Sequence, residues 1–226
     1  MGFSPPIQAY STRLCPMIPP RQSFGTPNCA AGITPRKPKT VKPMPNYRRN
    51  RVEGGCYFFT VNLRNRRSDL LVTEIGALRS AVRAALARHP FHIDAWVVLP
   101  DHMHCLWPLP PGDCDFPIRW RTIKALFSKS VPHAEPRSPS SVRKREAGIW
   151  QRRYWEHTIR DDQDYSAHMD YIHFNPVKHG FAAHPADWPY SSFANCVKLG
   201  MYPIDWATEG PDLADAGERL QHAPVG

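Results

Sequence analysis

Two histidines stand two residues apart in an otherwise apolar run, "WVVLPDHMHCLWPLP" at residues 96–110. Alternate side chains of a β-strand share a face, so His102 and His104 would project side by side. Two imidazoles on one strand supply half of a divalent metal site and need further ligands from elsewhere in the fold. The chain has 11 histidines, so chance spacing of two ordinary half-exposed histidines stays an open alternative.

A helix at "QDYSAHMDYIHFN" carries groups that could complete this site. His168, Tyr171 and Asn175 fall at i, i+3 and i+7 and form a polar stripe. A neighbouring apolar stripe would hold the helix on a sheet: Tyr165, Met169 and Ile172. The Asn175 amide oxygen and the two histidines would make a mixed nitrogen and oxygen set. Such a set suits Mg²⁺ or Mn²⁺ better than it suits a structural zinc ion.

Tyr171 is the candidate nucleophile. A free tyrosine has a pKa of about 10 and attacks poorly at neutral pH, so a metal ion or a base must assist it. Attack on a phosphodiester would leave a phosphotyrosine that conserves the bond energy and allows rejoining without ATP. Two structural alternatives remain. Tyr171 could pack on the sheet edge, and Asn175 could cap a helix that ends before Pro176.

The elements that must position these residues follow from hydrophobic periodicity and turn signals. We predict a strand at 56–63, a helix at 73–90, strands at 91–99 and 102–109, a helix at 116–131, a strand at 149–159 and a helix from 161 to 175. The order β-α-β-β-α-β plus one helix predicts an α+β fold. We expect a ferredoxin-like, RRM-like antiparallel sheet with helices on one face and a C-terminal helix that carries the candidate catalytic tyrosine, Tyr171.

Charge and proline content divide the chain into three parts. Residues 1–43 hold nine of the 25 prolines and no apolar periodicity, which predicts a disordered basic tail. We expect one domain at 44–204 and an acidic tail at 205–226. The net charge of +9 is weak evidence for nucleic-acid binding, because residues 1–52 contain nine Lys or Arg and no Asp or Glu.

Other sequence features restrict the class of protein. The sequence contains no run of 18 uncharged apolar residues, so it predicts no membrane span. No signal peptide is evident. The six cysteines form no C-x-x-C pair, so we expect reduced thiols. These features favour a cytoplasmic protein.

Basic segments near the predicted strands and the second helix are candidate phosphate contacts. They are Arg48, Arg49, Arg51, Arg64, Arg66, Arg67, Arg119, Arg121 and Lys124. In the second helix, Arg119, Arg121 and Lys124 are expected to point outward, away from its apolar face. Trp120 or Tyr57 could stack on bases. For each charged residue the alternative is a solvated surface side chain.

Several stretches between residues 44 and 218 carry a resemblance to a known family. They are "YRRNRVEGGCYFFTVNLRNRRSDLL", "AWVVLPDHMHCLWPLP", "RWRTIKALF", "YWEHTIRDDQDY", "DYIHFNPVKHG", "DWPYSSF" and "YPIDWA". The chain resembles the REP-associated tyrosine transposases, a branch of the single-tyrosine HUH transposases. The resemblance places the metal ligands on His102, His104 and Asn175, and the nucleophile on Tyr171.

The resemblance implies a metal-dependent endonuclease and strand transferase for single-stranded DNA. Its substrates would be REP-type hairpins. The sequence does not give the oligomeric state, and we expect a monomer. The chain departs from the family in residues 1–43, so Met44 is a candidate start, and the loop at 132–148 looks inserted. Two other classes stay open: a hairpin-binding protein that does not cleave, and a metal hydrolase in which Tyr171 is structural. Tyr165 is the next candidate nucleophile.

Overall fold

The computed structural model describes residues 49–132, 143 and 147–207. In chain order these residues form β1 (Cys56–Asn62), α1 (Leu70–Thr73), α2 (Ile75–Arg88), β2 (Ala95–Val98), β3 (His102–Pro108), α3 (Phe116–Ser130), β4 (Trp155–Thr158), α4 (Asp162–Lys178), a 3₁₀ turn (Pro185–Asp187) and α5 (Phe193–Lys198). The predicted order of elements is confirmed, although β2 and β4 are several residues shorter than predicted. The predicted tail at 1–43, most of the predicted acidic tail and most of the 132–148 loop lie outside the described residues.

The four strands form one antiparallel sheet in the order β2-β3-β1-β4. β1 and β3 are the central pair, as the ferredoxin-like order requires. Their register sets Thr60 opposite His104 and Asn62 opposite His102. The histidine pair therefore lies in the middle of the sheet, toward the end where β1 finishes.

Alternation along β1 divides the interior into two layers. Tyr57, Phe59 and Val61 pack against α2 and α3 on one face. Cys56 and Phe58 point to the other face and pack against α4. The predicted fold class is confirmed: α2 and α3 share one face, and the tyrosine helix α4 covers the opposite one.

The beginning of α4 was predicted correctly because its cap is local. The Asp161 carboxylate accepts a hydrogen bond from the Asp164 backbone N–H (2.8 Å), and Asp162 and Asp164 lie in the positively polarised first turn. Among the described helices, none is both long enough and apolar enough to cross a membrane.

The predicted end of α4 was wrong. The helix continues through Pro176 to Lys178, because a proline in the last turn removes only one helical hydrogen bond. It ends where Gly180 adopts a positive φ of 71°. The N–H groups of Gly180 and Phe181 then donate to the carbonyls of Val177 and Pro176 (both 2.9 Å), which is a Schellman ending. Asn175 is thus inside the helix and not its cap.

Candidate active site on the α4 face of the sheet

The predicted histidine pair lies on the sheet face that α4 covers. His102 and His104 occupy alternate positions of β3, and their ring centroids are 5.0 Å apart. Their exposed fractions are 5% and 2%. The alternative of two half-exposed histidines is therefore wrong, and the pair forms part of a buried polar site.

Each ring is oriented by a hydrogen bond at Nδ1. His102 Nδ1 lies 2.7 Å from Asp101 Oδ1, and His104 Nδ1 lies 2.9 Å from Thr60 Oγ1. A carboxylate only accepts, so Nδ1 of His102 donates, and its Nε2 keeps a lone pair. His104 Nε2 is buried without a hydrogen-bond partner. This is the usual arrangement of a metal-binding histidine, in which a hydrogen bond at one ring nitrogen orients the ring and the other nitrogen is available to the metal ion.

Burial keeps both imidazoles neutral at pH 7. Burial lowers the pKa of His102 to about 4, and the hydrogen bond that His102 donates to Asp101 opposes this shift. The pKa of His104 lies well below its usual value, first through burial and then through the neighbouring His102 and His179. A neutral imidazole is the form that binds a metal ion.

Tyr171 and Asn175 both lie on α4, and their side chains are buried. The Tyr171 ring centroid lies 5.2 Å from that of His104 and 5.8 Å from that of Phe58. Asn175, one helical turn later, has an exposed fraction of 0%, and neither its Oδ1 nor its Nδ2 has a partner. An unpaired buried amide group costs about 1–3 kcal/mol, so this side chain fits a bound ligand better than it fits a packing role.

The two histidines and Asn175 could hold a divalent cation. Two neutral imidazoles and one amide oxygen are available, and two of these ligand atoms, His104 Nε2 and Asn175 Oδ1, are buried without a partner. Amide oxygen suits Mg²⁺ and Mn²⁺, imidazole nitrogen suits several divalent transition metals, and three ligands leave positions that water and phosphate oxygens can fill.

Sequence reasoning missed four residues around this site. Asp101 precedes His102 directly and had a local signal, since a carboxylate often orients a ligand histidine. Thr60 had none, because its contact depends on strand register. Lys178 places its Nζ 4.7 Å from the Tyr171 ring centroid, and the His179 ring lies 5.2 Å from that of His102. The seven-residue spacing from Tyr171 to Lys178 was readable as one helix face.

His168 belongs to a different cluster from the one predicted. Its Nδ1 donates to the Asp164 backbone oxygen (2.7 Å) and lies 3.1 Å from Oδ1 of the same residue. Asp164 Oδ2 accepts from His157 Nε2 (2.8 Å) and from the backbone N–H and Nε of Arg160 (3.0 and 3.1 Å). Ligand atoms of the two histidines and Asp164 lie within 4.8 Å of one another. Protein donors already occupy the Asp164 carboxylate, so this cluster joins the start of α4 to β4.

Arg119 corrects the predicted outward orientation of α3. Its exposed side-chain fraction is 3%. The guanidinium donates to Asp113 Oδ2 and to the Pro90 carbonyl (both 2.6 Å), and to the Asp115 carbonyl (3.2 Å). An arginine whose donors face the interior is not available to a DNA phosphate. The outward assignment was wrong because its partners lie in loops that helical periodicity does not describe.

Two further assignments near α3 need the same correction. Lys124 is half-buried: its Nζ donates to the Gln151 carbonyl (3.1 Å) and lies 5.2 Å from the Tyr154 ring centroid. Trp120 and Tyr57 are almost completely buried, with exposed fractions of 1% and 0%. Neither ring has a free face on which a base could stack.

The other predicted phosphate contacts differ in position. Arg49 pairs with Glu156 (2.6 Å) and lies over the Tyr154 ring at 4.2 Å. Arg66 pairs with Asp101 (2.9 Å), so its loop adjoins the histidine pair. The remaining described members of the set are exposed: Arg51, Arg64, Arg67 and Arg121. Arg48 lies outside the described residues. The phosphate contacts of these four residues and of Arg66 stay predictions.

Tyr165 is a poor alternative nucleophile. Its hydroxyl donates to Asp94 Oδ2 (2.9 Å), and burial, followed by Asp94, raises its pKa. It packs on the sheet together with Met169 and Ile172, as the predicted apolar stripe requires.

Comparison with known proteins gives two close relatives and no matching family model. The chain is 50% identical over 177 residues to the REP-associated tyrosine transposase of Escherichia coli (strain K12), covering 78% of this chain and 99% of the relative. It is 44% identical over 176 residues to a protein of Haemophilus influenzae provisionally given the same name, covering 77% and 99%.

The fold agrees with a solved structure of a REP-associated tyrosine transposase bound to a REP hairpin. The TM-score is 0.66 at 50% identity, and the match covers 78% of this chain and 99% of that one. With half of the aligned residues identical over nearly the full length of a curated relative, the chain belongs to the REP-associated tyrosine transposase family.

Proposed function

We propose that this protein is a metal-dependent endonuclease and strand transferase that nicks and joins single-stranded DNA at REP-type hairpins. It acts through a covalent phosphotyrosine at Tyr171. One observation carries the proposal: the unpaired buried atoms of His104 and Asn175 lie on the α4 face of the sheet together with the Tyr171 ring. The related protein whose solved structure is bound to a REP hairpin supports the choice of substrate.

In the proposed reaction, the Tyr171 oxygen attacks the phosphorus of a phosphodiester. The phenolic proton passes to water, the bond from phosphorus to one sugar oxygen breaks, and that oxygen takes up a proton. A Mg²⁺ or Mn²⁺ ion held by His102, His104 and Asn175 would polarise the phosphate and stabilise the charge that develops on it. A free sugar hydroxyl then attacks the phosphotyrosine, which joins the strands and restores the Tyr171 hydroxyl. No bond energy is lost, so joining needs no ATP.

The chain's own residues prepare this step. Asp101 and Thr60 fix the two imidazole rings, so the ligand atoms need no reorganisation when the substrate arrives. Phe58 lies beneath the site, with its ring 5.5 Å from that of His104, and limits the movement of Tyr171.

A covalent-adduct assay tests the proposal. The full chain is incubated with Mn²⁺ and an end-labelled DNA hairpin that has single-stranded arms, and the products are separated under denaturing conditions. We expect a labelled protein band for the wild type. Tyr171→Phe removes the attacking oxygen and little volume, so the band and the cleavage should fall by at least about 10³-fold. Hairpin affinity should stay within about twofold.

Tyr165→Phe is the matched control, because it removes another hydroxyl from the same helix. It should retain the adduct. An adduct that persists in Tyr171→Phe would reassign the nucleophile, and an adduct that forms equally in EDTA would contradict the metal dependence.

A second candidate function is binding of REP hairpins without cleavage. It predicts that the wild type retards the hairpin in a native gel and gives neither an adduct nor a cut strand. The unpaired atoms of His104 and Asn175 count against it, because a protein that only binds DNA has no use for a costly buried donor set.

We further propose that the protein works in the cytoplasm, as a monomer. The exposed arginines would contact the hairpin backbone, and the affinity should therefore fall steeply with salt.

A further inference from the structure

Lys178 presents a cation to the nucleophile. It lies in the last turn of α4, seven residues after Tyr171, and its Nζ is 4.7 Å from the Tyr171 ring centroid. The side chain is exposed, so the ammonium can move toward a ligand that enters above the ring. The cation–π contact is worth only about 0.5–1 kcal/mol at an exposed position.

No carboxylate neutralises this ammonium within residues 49–132 and 147–207, where the salt bridges do not include Lys178. The acid beside the histidine pair, Asp101, is already bonded to His102 and Arg66. The field of the Lys178 ammonium reaches both His104 and His179. The site therefore holds an excess of positive charge, and a divalent ion would increase it.

An excess of positive charge around a nucleophile is complementary to a phosphodiester. We propose that the Lys178 ammonium binds a non-bridging oxygen of the phosphate that Tyr171 attacks, and stabilises the negative charge that develops on it. This inference rests on the proposed function. It adds a substrate-contacting residue to the nucleophile and the donor set.

The competing interpretation is that Lys178 only stabilises the helix end, since a cation in the last turn interacts favourably with the helix dipole. The chain supplies a matched control for this effect. Lys198 occupies the last turn of α5, and both helices end two residues later on a glycine with positive φ, Gly180 at 71° and Gly200 at 73°. Both lysines are exposed.

The experiment compares Lys178→Gln, Lys178→Arg and Lys198→Gln in the full chain, with the same labelled hairpin and Mn²⁺. For Lys178→Gln we expect the single-turnover cleavage rate to fall by about 10- to 100-fold, with hairpin affinity changed by less than about threefold. Lys178→Arg should recover most of the rate. Lys198→Gln should leave rate and affinity unchanged, and both Gln variants should unfold within about 2 °C of the wild type.

A second measurement needs neither DNA nor activity. Mn²⁺ binding to the DNA-free protein is followed by electron paramagnetic resonance. Removal of the nearby positive charge in Lys178→Gln should tighten Mn²⁺ binding by roughly two- to fivefold, whereas Lys178→Arg and Lys198→Gln should bind it as the wild type does. This measurement tests whether the Lys178 ammonium adds positive charge to the metal site; unchanged Mn²⁺ affinity in Lys178→Gln would contradict that premise of the proposal.

The outcomes separate the two hypotheses. A wild type that neither cleaves nor forms an adduct overturns the proposed function, and this inference with it. If the wild type cleaves and Lys178→Gln cleaves at the same rate, only the role of Lys178 is wrong. Its role is also wrong if Lys178→Gln and Lys198→Gln lose activity equally.

Discussion

The two faces of one strand, β3, enclose different kinds of interior. Met103, Cys105 and Trp107 point toward α2 and α3 and pack into a large aromatic and aliphatic core. His102 and His104, at the positions between them, point toward α4. Alternate residues of this strand thus belong to the hydrophobic core on one face and to the candidate active site on the other.

The layers also differ in how polar groups are satisfied. On the α3 side, Arg119 is buried but bonded to Asp113 and to two carbonyls. Among the described residues, the buried polar atoms without a partner on that side are three N–H donors, which cannot bind a cation, and the Tyr154 hydroxyl. On the α4 side, two atoms that can bind a cation, Asn175 Oδ1 and His104 Nε2, are buried without a partner, as are Asn175 Nδ2 and His173 Nδ1. This second layer keeps ligand atoms available at a cost in stability, which is the usual sign of a functional site.

The largest effect that tests this contrast is expected for Arg119→Met. Methionine keeps the apolar stem and removes the guanidinium, which leaves Asp113 and two carbonyls without their donor. We expect the free energy of unfolding to fall by about 2–4 kcal/mol, chiefly because two carbonyls in partly buried hydrogen bonds lose their donor, measured by urea denaturation, with little change in the salt dependence of hairpin binding.

Arg121→Met is the control, because Arg121 lies two residues away on α3 and is exposed. It should change stability by less than about 0.5 kcal/mol. The pair with Arg119 lowers the pKa of Asp113. The Arg119–Asp113 pair therefore contributes fully to the free energy of unfolding above pH 3.8, the pKa of Asp113 in the unfolded chain. This contribution is lost as the pH falls through the lower pKa of Asp113 in the folded protein. If Arg119→Met keeps normal stability and loses DNA affinity, the interior assignment is wrong.

Asn175→Leu should raise the free energy of unfolding, whereas Arg119→Met should lower it. Leucine has a similar volume and no polar atoms, so the variant removes two unpaired buried groups. We expect the metal-free protein to become more stable by about 1–3 kcal/mol. Saturating Mn²⁺ should stabilise the wild type by about 2.7 kcal/mol at 100 times its Kd and should leave Asn175→Leu unchanged.

The control is Asn195→Leu, an exposed asparagine of α5, which should keep the response to Mn²⁺. A destabilised Asn175→Leu would indicate that the amide has partners and is not a vacant ligand.

Local signals were sufficient for much of the fold and the site. The period-2 pattern around His102 and His104 gave both their strand and their shared face. The Asp161 cap gave the start of α4, and the helical spacing from Tyr171 to Asn175 gave their common side. Each of these inferences depends on residues close together in the chain.

The sequence predictions failed where a side chain contacts residues distant in the chain, and at the end of α4, where two local signals compete. Thr60 meets His104 only through the β1–β3 register, and Arg119 finds Pro90 only after α2 and α3 have packed together. Pro176 looked like a helix end, but the decisive signal was Gly180, four residues later. Periodicity assigns a face to a side chain, but it does not say what covers that face.

The smallest predicted effect concerns Lys124, on the α3 side. Its ammonium lies against Tyr154 and Trp150, and burial, followed by Arg49, lowers its pKa to about 8 from the usual 10.5. Between these values the unfolded chain holds the proton and the folded chain has lost it, so the contribution of Lys124 to stability rises with pH. Below about pH 8 both states are protonated, and the contribution is constant.

Lys124→Met removes this titration. When the free energy of unfolding of the variant is subtracted from that of the wild type at each pH, the contributions of all other groups that titrate at alkaline pH cancel. We expect the free energy of unfolding of the wild type, minus that of the variant, to rise by about 1 kcal/mol between about pH 8 and 9.5, measured by urea denaturation. A flat difference, combined with a weaker salt dependence of hairpin binding in the variant, would instead place the Lys124 ammonium on the DNA. The assignment of Lys124 to the interior on the α3 side would then be wrong.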